Sequence, residues 1–427
     1  MTMIAAPQAA SRIREQWRAL VGVHGLVGSV ALLGLAVLLP LWHAALPVEI
    51  LVLVVALILR HRGKGASFDR DLWTTPLPWA IAFYLLHVLG MFWSDDQSFG
   101  WSDLGIKAAL LVLPALFIWL PRTVRMGRDI VLFAFSVACA MAVVICVAAV
   151  VFRLVVGTEF SPEQEVFSSR FALFMHPSYF AWYLSVAIAA WCLLPVQRWV
   201  PVAMDRGVLA ILCLGVVLCG SKMGWALQLP LLIALLVLRW RDTRVRTSLL
   251  GLFAVFVVGV SVLLGGSSFA RDRIQGMWHA MNEQEHAADA HASSEVRWLT
   301  WGTAIELFKA DPIKGTGTGD IKNELVRVYN EKGYTGASEL RLNAHNQFLQ
   351  SAACLGFVGL LFLSTMLLAP FFGKVRGDAF TVIFLILAIC NWMVESMLEV
   401  QAGVIFFSFV AGVMAWYGTP DERSSQA

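Results

Sequence analysis

The chain has 427 residues, 59% of them hydrophobic and 14% charged, with a mean hydropathy of +0.72. A soluble domain is about half apolar and roughly 25% charged, so composition excludes a soluble globular protein and points to an all-α, polytopic membrane protein. The net charge of +3 carries little by itself.

The start, MTMIAAPQAASRIREQWRAL, is basic, but the apolar run behind it lacks a small-residue cleavage site and reads as a retained first helix. Apolar windows able to cross a ~30 Å hydrocarbon core with some tilt or thinning follow near 20–40, 44–60, 77–93, 104–120, 129–152, 171–194, 207–220, 223–238, 247–265, 346–372, 379–398 and 400–417. That makes about twelve spans. The pair at 207–220 and 223–238 is also readable as one interrupted helix. With the N-terminus in the cytoplasm, the inner segments hold 19 of the 32 Lys and Arg residues, while the outer loops WSDDQSFGWSD and GTEFSPEQE are acidic, as the positive-inside rule requires. The expected division is therefore 1–265 with nine spans, an outer loop at 266–345, and 346–427 with three spans and a cytoplasmic C-terminus.

A loop of that length is too long for a passive connector. Val296, Leu299, Ala304, Leu307 and Phe308 stand at helical spacing, with Ser293 or Ser294 as cap and Pro312 beyond the end. GDIKNELVRVYNEKG reads as a second helix closed by Gly333. The GTGTGD stretch at 315–320 has no Lys-Ser or Lys-Thr after it and no strand before it, so it reads as a tight turn and not as a nucleotide-phosphate loop. His279, His286 and His291 are spaced too irregularly for a metal site and read as solvated. The seven cysteines all lie in apolar runs and imply neither disulfides nor a metal.

Five cations fall at the outer level: Arg170, Lys222, Arg271, Arg273 and Arg297. Charges at a membrane edge are costly without partners, and guanidinium forks suit a diphosphate. Pairing with carboxylates or lipid headgroups is the plain alternative, and Arg271 beside Asp272 reads as a boundary charge. Lys222, between two short apolar halves loosened by Gly220 and Gly224, is expected to face a water-filled cavity. His176 before Pro177 is first a packed interfacial histidine and second a sugar-binding candidate. Glu395, Glu399 and Gln401 in ESMLEVQAG lie at the same outer level and are further candidates for sugar hydroxyls, as is Asn346. In RLNAHNQFLQ, Asn343 is a candidate N-cap for a helix starting near His345. A helix N-terminus disfavours an imidazolium, so a neutral His345 facing a cavity can act as a general base; a solvated or capping histidine is the alternative.

EVRWLTWGTAIELFKADPIKGTGTG followed by AHNQFLQSAACLGFVGLL resembles the O-antigen ligase family, within the group of bacterial membrane enzymes that also holds O-antigen polymerases and lipid-linked protein O-glycosyltransferases. The likeness rests on an Arg, a Trp four residues on, a Pro-Gly-Gly turn, and His-Asn opening a span. It implies a GT-C-like architecture in the bacterial inner membrane with the site facing the periplasm. It further implies metal-independent, cofactor-free transfer of a glycan from undecaprenyl diphosphate to a sugar hydroxyl of lipid A–core, with neither a nucleotide nor a nucleic acid as partner; one direct displacement would then invert the anomeric carbon. His345 corresponds to the base, Arg297 to the loop arginine, and Lys222 to a position where relatives carry an Arg. That last exchange is a departure, because a point charge lacks the bidentate grip. Arg273 and Arg170 join the diphosphate set by position and charge alone. The polymerase, the protein O-glycosyltransferase and a glycolipid transporter stay open as alternatives, the transporter weakened by the absence of two matching halves.

Overall fold

In lipid, every backbone polar group must be satisfied within the protein, so apolar runs of this length become helices. The computed structural model describes residues 6–60, 70–119, 128–157, 165, 170–194, 200–266, 271, 272, 275, 295–373 and 377–415, and among these there is helix and no strand. In chain order the helices are α1 Ala6–Leu41, α2 Leu46–Arg60, α3 Pro76–Gly90, α4 Gln97–Lys107, α5 Ala109–Trp119, α6 Arg128–Val156, α7 Pro177–Leu193, α8 Val202–Leu218, α9 Lys222–Leu238 and α10 Thr243–Gly266. They continue with α11 Glu295–Ala310, α12 Ile321–Glu331, α13 Thr335–Glu339, α14 Gln347–Leu368, α15 Ala379–Trp392 and α16 Gln401–Ala415.

Each of the twelve apolar windows contains helix. Among the described residues, seven spans are long and apolar enough to cross a membrane, and four of the remaining helices, α7, α9, α15 and α16, are apolar but shorter. The protein is thus a multi-pass membrane protein. The stretch around Gly220 is two helices, not one: Gly220 turns the chain at φ +60, and Ser221 caps α9 by accepting from the Gly224 amide at 3.2 Å.

Helices that are apolar all round belong at the centre of a bundle, and α7 and α16 are buried almost throughout. They meet through stacked rings, Tyr183 against Phe406 with centroids 3.9 Å apart. The Tyr183 hydroxyl donates to the Ala402 carbonyl at 2.7 Å and that of Tyr179 reaches the Ser396 carbonyl at 3.4 Å. The first bond holds the start of α16 and the second the irregular segment between α15 and α16, where a buried carbonyl without a donor would be costly. At the other end of α15, Arg128 pairs with Asp378 at 3.2 Å.

The helix α14 is broken. Leu355 leaves helical geometry and Gly356 has φ +64. In an unbroken helix the Phe357 amide would serve the Ala353 carbonyl; here it donates to the Pro312 carbonyl at 2.7 Å, and the Thr316 amide takes Ala353 at 2.9 Å. Gly317 likewise donates to the Cys354 carbonyl at 2.9 Å. The turn at 312–319 therefore sits in the break, and backbones approach so closely that a Cβ on Gly315 would stand 2.5 Å from the Cys354 carbonyl carbon. On its far side the same turn docks on the end of α3, where Thr318 Oγ1 donates to the His87 carbonyl at 2.7 Å and the Gly319 amide to Ser94 Oγ at 2.9 Å. The expected tight turn is present, and it forms part of the bundle.

The two expected loop helices are α11 and α12. Val296, Leu299, Ala304 and Leu307 are buried and Phe308 half-buried, and Gly333 ends α12 at φ +70. The proposed caps Ser293 and Ser294 lie outside the described residues.

Candidate active site

Arg297 and Trp301 are four residues apart on α11 and therefore share a face. Trp301 turns to the chain that enters α14, and Arg297 to Glu395 beside it. Trp301 Nε1 donates to the His345 carbonyl at 3.3 Å, and Thr300 Oγ1 to the Ala344 carbonyl at 3.2 Å. Gln350 closes the other side by accepting from the Ala344 amide at 3.0 Å. His345 itself has φ +46, a left-handed conformation uncommon outside glycine. Asn343 Oδ1 supports it by accepting from the His345 amide at 2.9 Å, an Asx-turn bond. The expectation that Asn343 caps the helix is corrected. The cap is Asn346, whose side chain accepts from the Phe348 and Leu349 amides at 3.0 and 3.1 Å and donates to the Met393 carbonyl at 2.8 Å. The left-handed turn at His345 delays the helix to Gln347, so the imidazole stands ahead of the cap.

Glu395 is the centre of the site. One oxygen lies 2.7 Å from His345 Nδ1 and the other 3.5 Å from Arg297 Nη2. A carboxylate accepts only, so Nδ1 carries the proton and Nε2 holds the lone pair. The imidazole is 23% exposed and the carboxylate 9%. Burial acts to raise the Glu395 pKa, but the His345 hydrogen bond, then the charges of His345, Arg297 and His176, together hold it below its ordinary value. His176 is thereby placed near the same carboxylate. It also caps α7, its Nδ1 accepting from the Ser178 amide at 3.3 Å.

Beneath this group runs a buried polar chain. Gln347 donates to Glu399 at 3.1 Å and accepts from the Leu398 amide at 2.7 Å. The other oxygen of Glu399 takes Lys107 at 2.8 Å, and Lys107 reaches Asp103 at 2.5 Å. Asp103 faces His87 at 3.9 Å, and His87 meets Thr318 of the docked turn. Gln401 opens α16, half-buried, two residues beyond Glu399.

The other cations are arranged separately. Arg170 pairs with Glu165 at 2.8 Å and its side chain is 63% exposed; Arg153 shares that carboxylate at 2.5 Å. Lys222 opens α9, whose Gly224 packs so tightly on Ala181 of α7 that a Cβ would lie 2.7 Å away. This contact puts Lys222 at the same end of the bundle as His176. Arg271 is exposed and donates to the Gly265 carbonyl at 3.1 Å. Arg273, His279, His286 and His291 lie outside the described residues.

The family model described as O-antigen ligase matches residues 207–364, which contain Lys222, Arg297, Trp301, the docked turn and His345. Across that segment the chain is similar to the O-antigen ligase family. No curated protein matches it. The match supports a function of the O-antigen ligase or polymerase type in general terms. The match stops short of Glu395 and Glu399, yet Glu395 holds His345 and Arg297 of the matched segment, and Glu399 ties its Gln347 to Lys107 of α4. Sequence reasoning missed Glu395 as the partner of the histidine, and missed Lys107, Asp103 and Arg153 altogether. Lys107 carried a usable signal, since a lone cation inside an apolar window marks a partner or a site.

Proposed function

We propose that this protein is an O-antigen ligase that transfers a glycan from undecaprenyl diphosphate to a sugar hydroxyl of lipid A–core. The reaction takes place at the periplasmic face of the bacterial inner membrane. The carrying observation is His345 held through Nδ1 by Glu395, with Arg297 on the same carboxylate. In this reading both termini are cytoplasmic, 266–345 is periplasmic, and 1–265 and 346–427 hold the spans.

His345 Nε2 takes the proton of the acceptor hydroxyl as its oxygen forms a bond to the anomeric carbon of the donor. The bond from that carbon to the diphosphate oxygen breaks, and its electron pair leaves with the diphosphate. A single displacement inverts the anomeric centre. Arg297, with Lys222, Arg170 and Arg273, stabilises the leaving charge, so the reaction runs without metal. Lys222 contributes a point charge, and the fork geometry comes from arginine. His176, Asn346, Glu399 and Gln401 line the sugar side, Asn346 and Glu399 chiefly by holding the backbone around the base.

The test uses purified full-length protein, an undecaprenyl-diphosphate glycan and lipid A–core. Glycan should appear on the core with wild type and fall by about 10²- to 10⁴-fold with His345→Ala. Elongation of the lipid-linked glycan, with none on core, would make the protein a polymerase. Transfer to a protein acceptor alone would make it an O-glycosyltransferase, and no transfer to any acceptor would leave the transporter.

A further inference from the structure

We infer that Glu395 is a shared positioning carboxylate that couples arrival of the donor's diphosphate to the readiness of His345, holding the base by one oxygen and lending the other to Arg297 only until the diphosphate claims that guanidinium. The inference rests on the reading of His345 as base and Arg297 as a diphosphate ligand.

The two arms of Glu395 are unequal. The contact to His345 is 2.7 Å, within the range of a charge-assisted bond, whereas that to Arg297 is a single contact at 3.5 Å, the outer limit for any hydrogen bond. Arginine and carboxylate ordinarily meet as a bidentate fork near 2.8 Å. Arg297 instead makes one long contact, and its buried Nε has no hydrogen-bond partner among the described residues. Its guanidinium is thus loosely held, with donors to spare for a ligand with several acceptor oxygens. The geometry resembles a charge in reserve more than a finished ion pair.

An ionised Glu395 also opposes a diphosphate directly, because like charges brought close disfavour each other. Arg297 offsets this by moving to the incoming phosphates. Glu395 is then compensated chiefly by His345, at the moment when that ring must accept the acceptor's proton and become a cation. Donor binding and base strength are linked through one carboxylate, and such linkage is reciprocal for binding. Weakening the Glu395–Arg297 contact must tighten the donor, while weakening the Glu395–His345 contact must slow transfer.

Glu395→Gln keeps the shape and removes the charge. In the full-length protein in detergent, binding of undecaprenyl diphosphate itself should tighten by about 5-fold or more, while turnover of the glycan-bearing donor falls by about 10- to 100-fold. Opposite signs are the signature, because a side chain that merely supports the fold would lose both affinity and rate. If Glu395→Gln does not fold, Glu395→Asp carries the same test: it withdraws the charge by one methylene, and both changes keep their sign at smaller size. Weaker diphosphate binding in the folded variant overturns the proposal, and so does unchanged turnover. The underlying reading fails differently, by wild-type transfer in His345→Ala, and the diphosphate affinity is read without any transfer at all.

Discussion

Burial acts to raise the pKa of Glu395, and its neighbours reverse the outcome. Because its pKa is lowered in the folded protein from an ordinary 4.5, its contribution to stability is complete above about pH 4.5 and is lost as pH falls through the lowered folded value. The stability difference between wild type and Glu395→Gln should therefore shrink as pH falls below about 4.5, read as thermal unfolding in detergent. A difference that grows on acidification would reject the pairing. At this scale the sequence was half legible. His345 stood out because AHNQ places polar residues at the threshold of an apolar run. Its partner did not, since Glu395 lies 50 residues on and nothing local distinguishes it from Glu399 as the one that reaches the imidazole. Two asparagines three residues apart both suit a cap; the left-handed backbone at His345 decides for Asn346, and only the folded contacts to Trp301 and Gln350 impose that backbone.

Among the elements, α14 shows why the windows were legible and the break was not. Long apolar runs become helix in lipid whatever their detailed order, so each window could be read from composition. ACLGFVG gives no local reason to stop: a glycine inside an apolar helix is ordinary in membranes, and the donors that replace its lost bonds come from a turn some 40 residues upstream. That turn reads as loop in sequence, yet its amides at Thr316 and Gly317 satisfy the carbonyls of Ala353 and Cys354. Gly356→Ala would face φ +64 and a Cβ 2.2 Å from the Ile313 carbonyl oxygen. Left-handed strain and displacement of the turn together should cost about 2–4 kcal/mol. Gly302→Ala, in α11 with nothing within 4 Å of the added Cβ, should instead gain up to about 1 kcal/mol from helix propensity. Thermal unfolding of the two variants side by side checks this, and limited proteolysis around 312–319 should accelerate only in Gly356→Ala.

Across the whole molecule, the chain from His87 through Asp103, Lys107 and Glu399 to Gln347 joins α3, α4, the segment before α16 and α14. It connects the docked turn to the floor of the site. Lys107 is fully buried, so Lys107→Met leaves two carboxylates without their cation and should cost about 3–5 kcal/mol. Replacing all three charges, in Asp103→Asn/Lys107→Met/Glu399→Gln, should recover most of that loss; a triple variant no more stable than the single one would mean that the network holds the bundle by something other than charge balance. The proposed orientation makes a separate demand on the molecule, and it can be met with thiol chemistry because six of the native cysteines are buried and Cys390 is partly so. Glu331, exposed at the end of α12, and Arg241, exposed between α9 and α10, lie on opposite sides if 266–345 is periplasmic. In a background with the native cysteines replaced, Glu331→Cys should react with a membrane-impermeant maleimide in intact spheroplasts, and Arg241→Cys only after permeabilisation. The reverse pattern would put His345 and its carboxylate on the cytoplasmic side, out of reach of a periplasmic acceptor, and the ligase reading would fall with it.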